Sequence, residues 1–488
     1  MGNNAILALL PICLFTCVIA SFNSSTNEYA LLALKSQISD PNKILTKNWS
    51  RGTSFCNWIG ITCGKRHPRV IGLNLANMGL KGTIAREIGN LSFLRSLVIS
   101  NNNFHGFIPY EIGNLSRLRE IDMQHNDLYG PIPTSFGFLA NLQNLSLMSN
   151  VLNGHIPNQI FNLSSLVKID VANNSLSGSI PIDIGNNLPK LERIGISMNQ
   201  IGGSIPPSLG RCRKLQRISL SFNKLSGSIP MEIWNLSELQ RLHLAENNLI
   251  GSIPNEIGNL LSLQWLELGS NNLTGTIPYS IVNVSNLEIL NIDTNNIQGR
   301  IPQELGHLSL LKTIDFPVNH LEGEIPESIF NLTNLQHISL AQNKLSGNLP
   351  SSINNGLPVL ESLYLGGNGL SGEIPSGISK FSKLSTLDLA ENSFSGQVPM
   401  TLGNLRDLQT LNLQYNQLKN DPSMVELDFL SPLTNCRQLK HLHFGFNSFN
   451  GILPKVLGNL SQSVETITGG FCRIKGMIPN EIGNLSNT

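Results

Sequence analysis

The chain has 488 residues, with 33 Lys and Arg against 32 Asp and Glu, a formal charge of +1. Charged residues at 13% and hydrophobic ones at 40% exclude a disordered polyelectrolyte. The near-neutral balance, with no basic run, argues against an electrostatic nucleic-acid binder.

At the N-terminus, residues 1–20 are uncharged and apolar from Ala5 to Ala20. That run is short for a membrane span, and Val18-Ile19-Ala20 supplies small residues at a cleavage position, so it reads as a secretory signal. No later stretch is continuously apolar, so membrane attachment is expected only through a segment absent from this chain. Next, Ala30, Leu31, Leu34 and Ile38 fall on one helical face, and Asp40-Pro41 predicts its end. Cys56 and Cys63 lie close together in SFCNWIGITC and read as a disulfide in an oxidising compartment. With only His67 nearby, a metal site there is weakly supported.

From about residue 70 the pattern LxxLxLxxNxLxGxIP recurs, as at Leu239, Leu242, Leu244, Asn247, Leu249, Gly251, Ile253 and Pro254. The Asn slot steps from Met78 and Asn102 to Asn447 and Cys472 by 24 or 25 residues, except for a step of 31 from Asn416 to Asn447. These seventeen units predict an α/β solenoid. LxLx alternation predicts a short strand that buries its leucines, and stacked strands form a parallel sheet. The Asn amide is placed to satisfy buried backbone groups of adjacent turns. The Gly permits a turn without a Cβ, and the segment after Ile-Pro has room for one helical turn. Cys212 and Cys436 take a leucine slot and read as buried thiols.

Enzyme chemistry finds no support. Gly367–Gly372 matches GxGxxG, but its residues belong to the repeat and no βαβ unit follows. Walker, HExxH and kinase motifs are missing, and His441 with His443 lacks a third metal ligand. No cofactor or metal is expected. Thirteen Asn-x-Ser/Thr sites occur, and the candidates Asn90, Asn114, Asn162, Asn235, Asn331 and Asn459 belong to GNLS-like segments expected on the convex or lateral surface. The position before the second Leu reads Lys168, Arg193, Arg217, Arg241 and then Trp265. A column of like charges repels, and a scaffold has no need of it. With Phe222, Met198 and His243 nearby, and Asp170 and Glu246 as partial neutralisers, it is a candidate site for an acidic or carboxylate-bearing peptide. A second group, Tyr415, His443, Phe446 and Phe471, offers aromatic anchors; packing against the insertion Lys419–Leu433 is the favoured reading there.

These motifs resemble the extracellular leucine-rich repeats of plant receptor-like kinases, and the Gly-x-Ile-Pro extension is the plant-type variant. The resemblance implies a second short strand per repeat, a twisted superhelix, and a disulfide-stapled helical cap in Asn27–Cys63. It divides the chain into a signal (1–20), a cap (21–69) and about 17 repeats (70–488) that stop before a second cap, leaving the last coil's core edge exposed. The long unit LDFLSPLTNCRQLKHLHFGFNSFNG is similar to the immune subfamily that includes the bacterial elongation-factor and rice bacterial-blight receptors. The implied function is recognition of a peptide or protein at the cell surface, signalling through a co-receptor kinase with its own leucine-rich repeats and a kinase outside this chain. The competing expectation is a secreted inhibitor, or a soluble receptor decoy in the apoplast. The Arg-x-Arg pair by which some peptide-hormone receptors hold a carboxylate is not found at a late repeat.

Overall fold

The computed structural model describes residues 25–350, 353 and 357–485, so the segment read as a secretory signal lies outside the described residues. They fall into two compact units, one running to Leu239 and one starting at Gln240.

The first unit opens with a helix over 25–36 that buries Ala30, Leu31 and Leu34. Ile38 departs from the expectation. It lies beyond the helix in the strand Ile38–Ser39, paired antiparallel with Lys81–Gly82. A β-branched residue next to an unpaired edge gains more from that pairing than from one more helical residue. The Asp40 carboxylate accepts the amides of Ile44 and Thr46 at 2.9 and 2.8 Å and so starts the helix Ile44–Asn48. Trp49 is fully buried, stacked on Trp58 at 5.4 Å. The Cys56–Cys63 disulfide ties this segment to the strand Ile61–Cys63, which pairs antiparallel with Val70–Asn74.

One repeat shows why each turn folds alike. In the strand Glu120–Asp122, Ile121 is buried between two half-exposed neighbours. It pairs in parallel with Ser96–Val98 and Asn144–Ser146, setting Ser96, Glu120 and Asn144 side by side. The second strand, Asp127–Pro131, pairs in parallel with Val151–His155. Within that strand Gly130 takes φ 82°, and a Cβ there would stand 2.3 Å from the Phe107 ring, so only glycine fits. The 3₁₀ turn Thr134–Phe138 then buries Phe136. Leu118, Ile121, Met123, Leu128, Phe136 and Leu139 are all fully buried, at about 1.5–3 kcal/mol each. Against that sum a single amide adds little, but its absence is costly. Asn126 Nδ2 donates to the carbonyls of Ile99, Met123 and Gln124 at 3.1–3.3 Å, and its Oδ1 accepts the Phe104 amide at 2.9 Å. Without it the buried Phe104 amide loses its acceptor and each of the three carbonyls keeps one bond fewer, since Asn102, Asn150 and the Asn101 amide also donate to them.

The second unit repeats this plan, with Trp265–Glu267, Ile289–Asn291 and Thr313–Asp315 paired in parallel. Its long repeat keeps register despite the extra residues, since His441–His443 still pairs with Thr410–Asn412. The insertion folds on itself around Asn420, whose Nδ2 donates to the carbonyls of Met424 and Glu426 and whose Oδ1 accepts the Asp428 amide. Phe429 stacks on Phe449 at 4.8 Å, ahead of the short helix Leu430–Leu433. Cys212 and Cys436 are fully buried, and burial pushes both thiols up to about 11, which makes them inert. Cys472 replaces the ladder Asn with a weaker donor, its Sγ 3.0 Å from the Phe444 carbonyl.

Candidate functional site

Directly before each ladder Asn the backbone turns left-handed, with φ between 48° and 60° at non-glycine residues from Asn77 to Phe471. The turn lets the Asn point inward, so every repeat needs it. Asn and His, which tolerate the conformation best, fill four of the sixteen non-glycine slots at Asn77, Asn101, His125 and Asn173. At Met198, Phe222, Tyr415, Phe446 and Phe471 the slot carries a bulky apolar residue, 38–79% exposed. Met198 and Phe222, about half exposed, sit in a costly conformation with no ring partner among the described residues, so stability gives no reason for them.

In the first unit, Lys168, Arg193 and Arg217 lie in register on adjacent parallel strands, about 4.8 Å apart. Lys168 is partly neutralised by Asp170 at 3.7 Å. Arg217 Nε donates to Ser219 Oγ at 3.0 Å, which aims its guanidinium along the strand face. Arg193 and Arg217 are both exposed, and neither is in an ion pair among the described residues. Met198 and Phe222, the two apolar left-handed residues of this unit, follow these same strands.

In the second unit the remaining members of the expected column have local partners. The Arg241 guanidinium lies 4.2 Å from the Trp265 ring centroid, and the two residues are paired in register. His243 differs from the expectation of an exposed anchor. It is 8% exposed, its Nδ1 is 2.5 Å from Glu267 Oε2, and its ring meets Trp265 edge-on at 5.8 Å. Residue spacing alone does not show that Glu267 and Trp265 of the next repeat take up the ring. Glu267 is thus the carboxylate beside His243, while Glu246 lies near Asp293. Burial first, then Asp315 and Glu246, raises the Asp293 carboxyl above its ordinary value.

The aromatic group is also assembled differently from the favoured reading. Tyr415, Phe446 and Phe471 stack on one another, at 4.1 and 4.5 Å with planes within 16°. The insertion sends Phe429 to the buried Phe444 and Phe449 instead. Three aromatic residues at the same slot of successive repeats meet face to face, which only the stacking of repeats decides. Beside them, the His441 and His443 rings lie parallel at 6.2 Å, and His443 Nδ1 is 2.7 Å from Thr468 Oγ1. Burial, then His441, lowers the His443 pKa against the pull of Asp388. Among the described residues no group of three candidate ligands is placed to hold a metal ion.

Asn90, Asn114, Asn162, Asn235, Asn331 and Asn459 are exposed, each closing a 3₁₀ turn away from the strand face. Asn144, in another Asn-Leu-Ser, stands on the strand face itself, in register with Lys168. No helix among the described residues is long and apolar enough to cross a membrane.

Residues 24–64 match the leucine-rich-repeat N-terminal domain, and leucine-rich-repeat models match 358–418 and ten further segments between 93 and 460. The chain is 48% identical over 100 residues to the LRR receptor-like serine/threonine-protein kinase EFR of Arabidopsis thaliana, covering 20% of this chain and 10% of that protein. It is 39% identical over 82 residues to the receptor kinase-like protein Xa21 of Oryza sativa subsp. japonica, 16% of this chain and 8% of that one. The matched stretches thus span about a tenth of these relatives. Among solved structures, the plant peptide hormone receptor RGFR1 in complex with RGF2 superposes with a TM-score of 0.77 at 34% identity, over 88% of this chain and 78% of that one. The Arabidopsis HAESA ectodomain in complex with an extended IDA peptide hormone gives 0.71 at 27% identity, over 95% and 92%. The chain belongs to the leucine-rich-repeat family, with the fold of a plant receptor-kinase ectodomain.

Proposed function

We propose that this chain is the extracellular ligand-recognition region of a plant cell-surface receptor kinase. In this reading it binds a carboxylate-bearing peptide on its strand face and signals through a co-receptor and a kinase domain. One observation carries it: the exposed guanidiniums of Arg193 and Arg217 in register, in no ion pair among the described residues, flanked by Met198 and Phe222 in left-handed slots. Like charges on neighbouring strands are unfavourable until an anion lies between them. A carboxylate accepts from two guanidiniums, and the apolar pair offers anchors for adjoining side chains. Similar architectures are seen with peptide hormones, and the HAESA–IDA complex includes the co-receptor SERK1.

The test is to pan short synthetic peptides with free C-termini over the purified chain and to re-measure those retained. Reversing charge at Arg193 and Arg217 together weakens them by at least about tenfold, while the melting temperature hardly moves. Undiminished affinity in that variant excludes the basic site.

A further inference from the structure

The chain as a whole is nearly neutral, but residues 64–119 carry eight Lys and Arg against two Glu, a net +6 in a chain whose total is +1. The fold gathers six of these cations where the strands of the first repeats begin. Lys65, Arg66 and Arg69 lie on the tight turn that follows Cys63, closed by the Gly64 amide on the Arg69 carbonyl at 2.9 Å. Arg69, Phe93 and Arg117 occupy one slot in successive repeats, and the two guanidiniums lie 4.7 and 4.1 Å from the Phe93 centroid on either side of its ring. Arg95 and Arg119 occupy the slot two residues on, their strands joined by the Arg119 amide to the Arg95 carbonyl at 2.8 Å. None of the six is in an ion pair among the described residues. The nearest carboxylate on these strands, Glu120, is held by Ser96 Oγ at 2.6 Å.

We propose that this edge binds a linear polyuronate, a sugar polymer with a carboxylate on each ring. Stacking on Phe93 fixes the planes of Arg69 and Arg117 and leaves their N–H edges free for bidentate contact with carboxylates. Guanidiniums recur here at every strand or every second strand, and a polyuronate repeats its carboxylate at every ring. A folded protein partner fits less well. The strand starts at 64–74, 93–98 and 117–122 expose no large apolar side chain, and Phe93 is half-buried between the two guanidiniums; the exposed Phe107, Tyr110 and Tyr129 belong to the turns and second strands that follow. The choice of a sugar polymer over a nucleic acid rests on the extracellular reading above.

The experiment measures retention of the full chain on immobilised polygalacturonate across a salt series, beside fully methyl-esterified polymer, polyglutamate and duplex DNA. The polyuronate is retained and released as salt rises, and the esterified polymer is not retained. R95E/R119E weakens retention by at least about tenfold, and R95K/R119K falls between it and the parent because lysine is a point charge. R193E/R217E binds polygalacturonate as the parent does, which separates this surface from the peptide site. Equal retention of the esterified polymer, tighter retention of polyglutamate or DNA at matched ionic strength, or parental binding by a folded R95E/R119E overturns the proposal.

Discussion

The two units differ at the first residue of each face strand. The first carries Lys168, Arg193 and Arg217 on its strand face. The second carries Arg241 and then the uncharged Trp265, Ile289 and Thr313 there, and adds a stacked aromatic column. Yet ladder amides make the same contacts in both, as Asn126 and Asn319 show. A repeat whose stability comes from inward leucines and one amide leaves its outward residues free to vary, so the face reports recognition and the interior reports folding.

That division predicts a graded series of effects. The largest is expected inside. Asn319 Nδ2 donates to the carbonyls of Ile292, Phe316 and Pro317, and its Oδ1 accepts the Ile297 amide. Asn319→Ala takes the acceptor from the Ile297 amide and one of two donors from each carbonyl, and costs about 2–3 kcal/mol by denaturant unfolding; a loss below about 1 kcal/mol contradicts the ladder's role. Replacing Cys56 and Cys63 by Ser comes next. A short closed loop implies about 2–3 kcal/mol, and an unchanged melting temperature argues that the tryptophan stack holds the cap unaided. Phe222→Asn exchanges a bulky left-handed residue for one that tolerates the slot. Stability is expected to stay within about 0.5 kcal/mol while peptide affinity drops, and marked destabilisation makes Phe222 part of the scaffold.

The smallest effect is electrostatic and has a defined pH window. The Asp293 carboxyl is raised by burial and by Asp315 and Glu246, so the folded chain holds that proton more tightly than the unfolded one. Its contribution to stability is present below the ordinary carboxylate pKa and is lost as pH rises through the raised value. Asp293→Asn removes that loss. The melting temperature is expected to rise by about a degree or two at neutral pH and to match the parent in acid. A gain that persists in acid points to packing instead.

Sequence spacing alone showed the solenoid, the ladder, the two buried thiols and the position of each cation along the strands. Those features follow from which residues turn inward, and a period of 24 states that directly. The local charge excess of residues 64–119 was equally legible but is hidden by a whole-chain total of +1. What only tertiary structure decided is partnership across repeats. Arg241 covers Trp265, His243 is closed over and bound to Glu267, Ile38 joins a strand, and Phe471 extends the stack of Tyr415 and Phe446. The physical reason is that inward residues answer to a local alternation of burial, while outward ones answer to rotamers and neighbours a full turn of chain away.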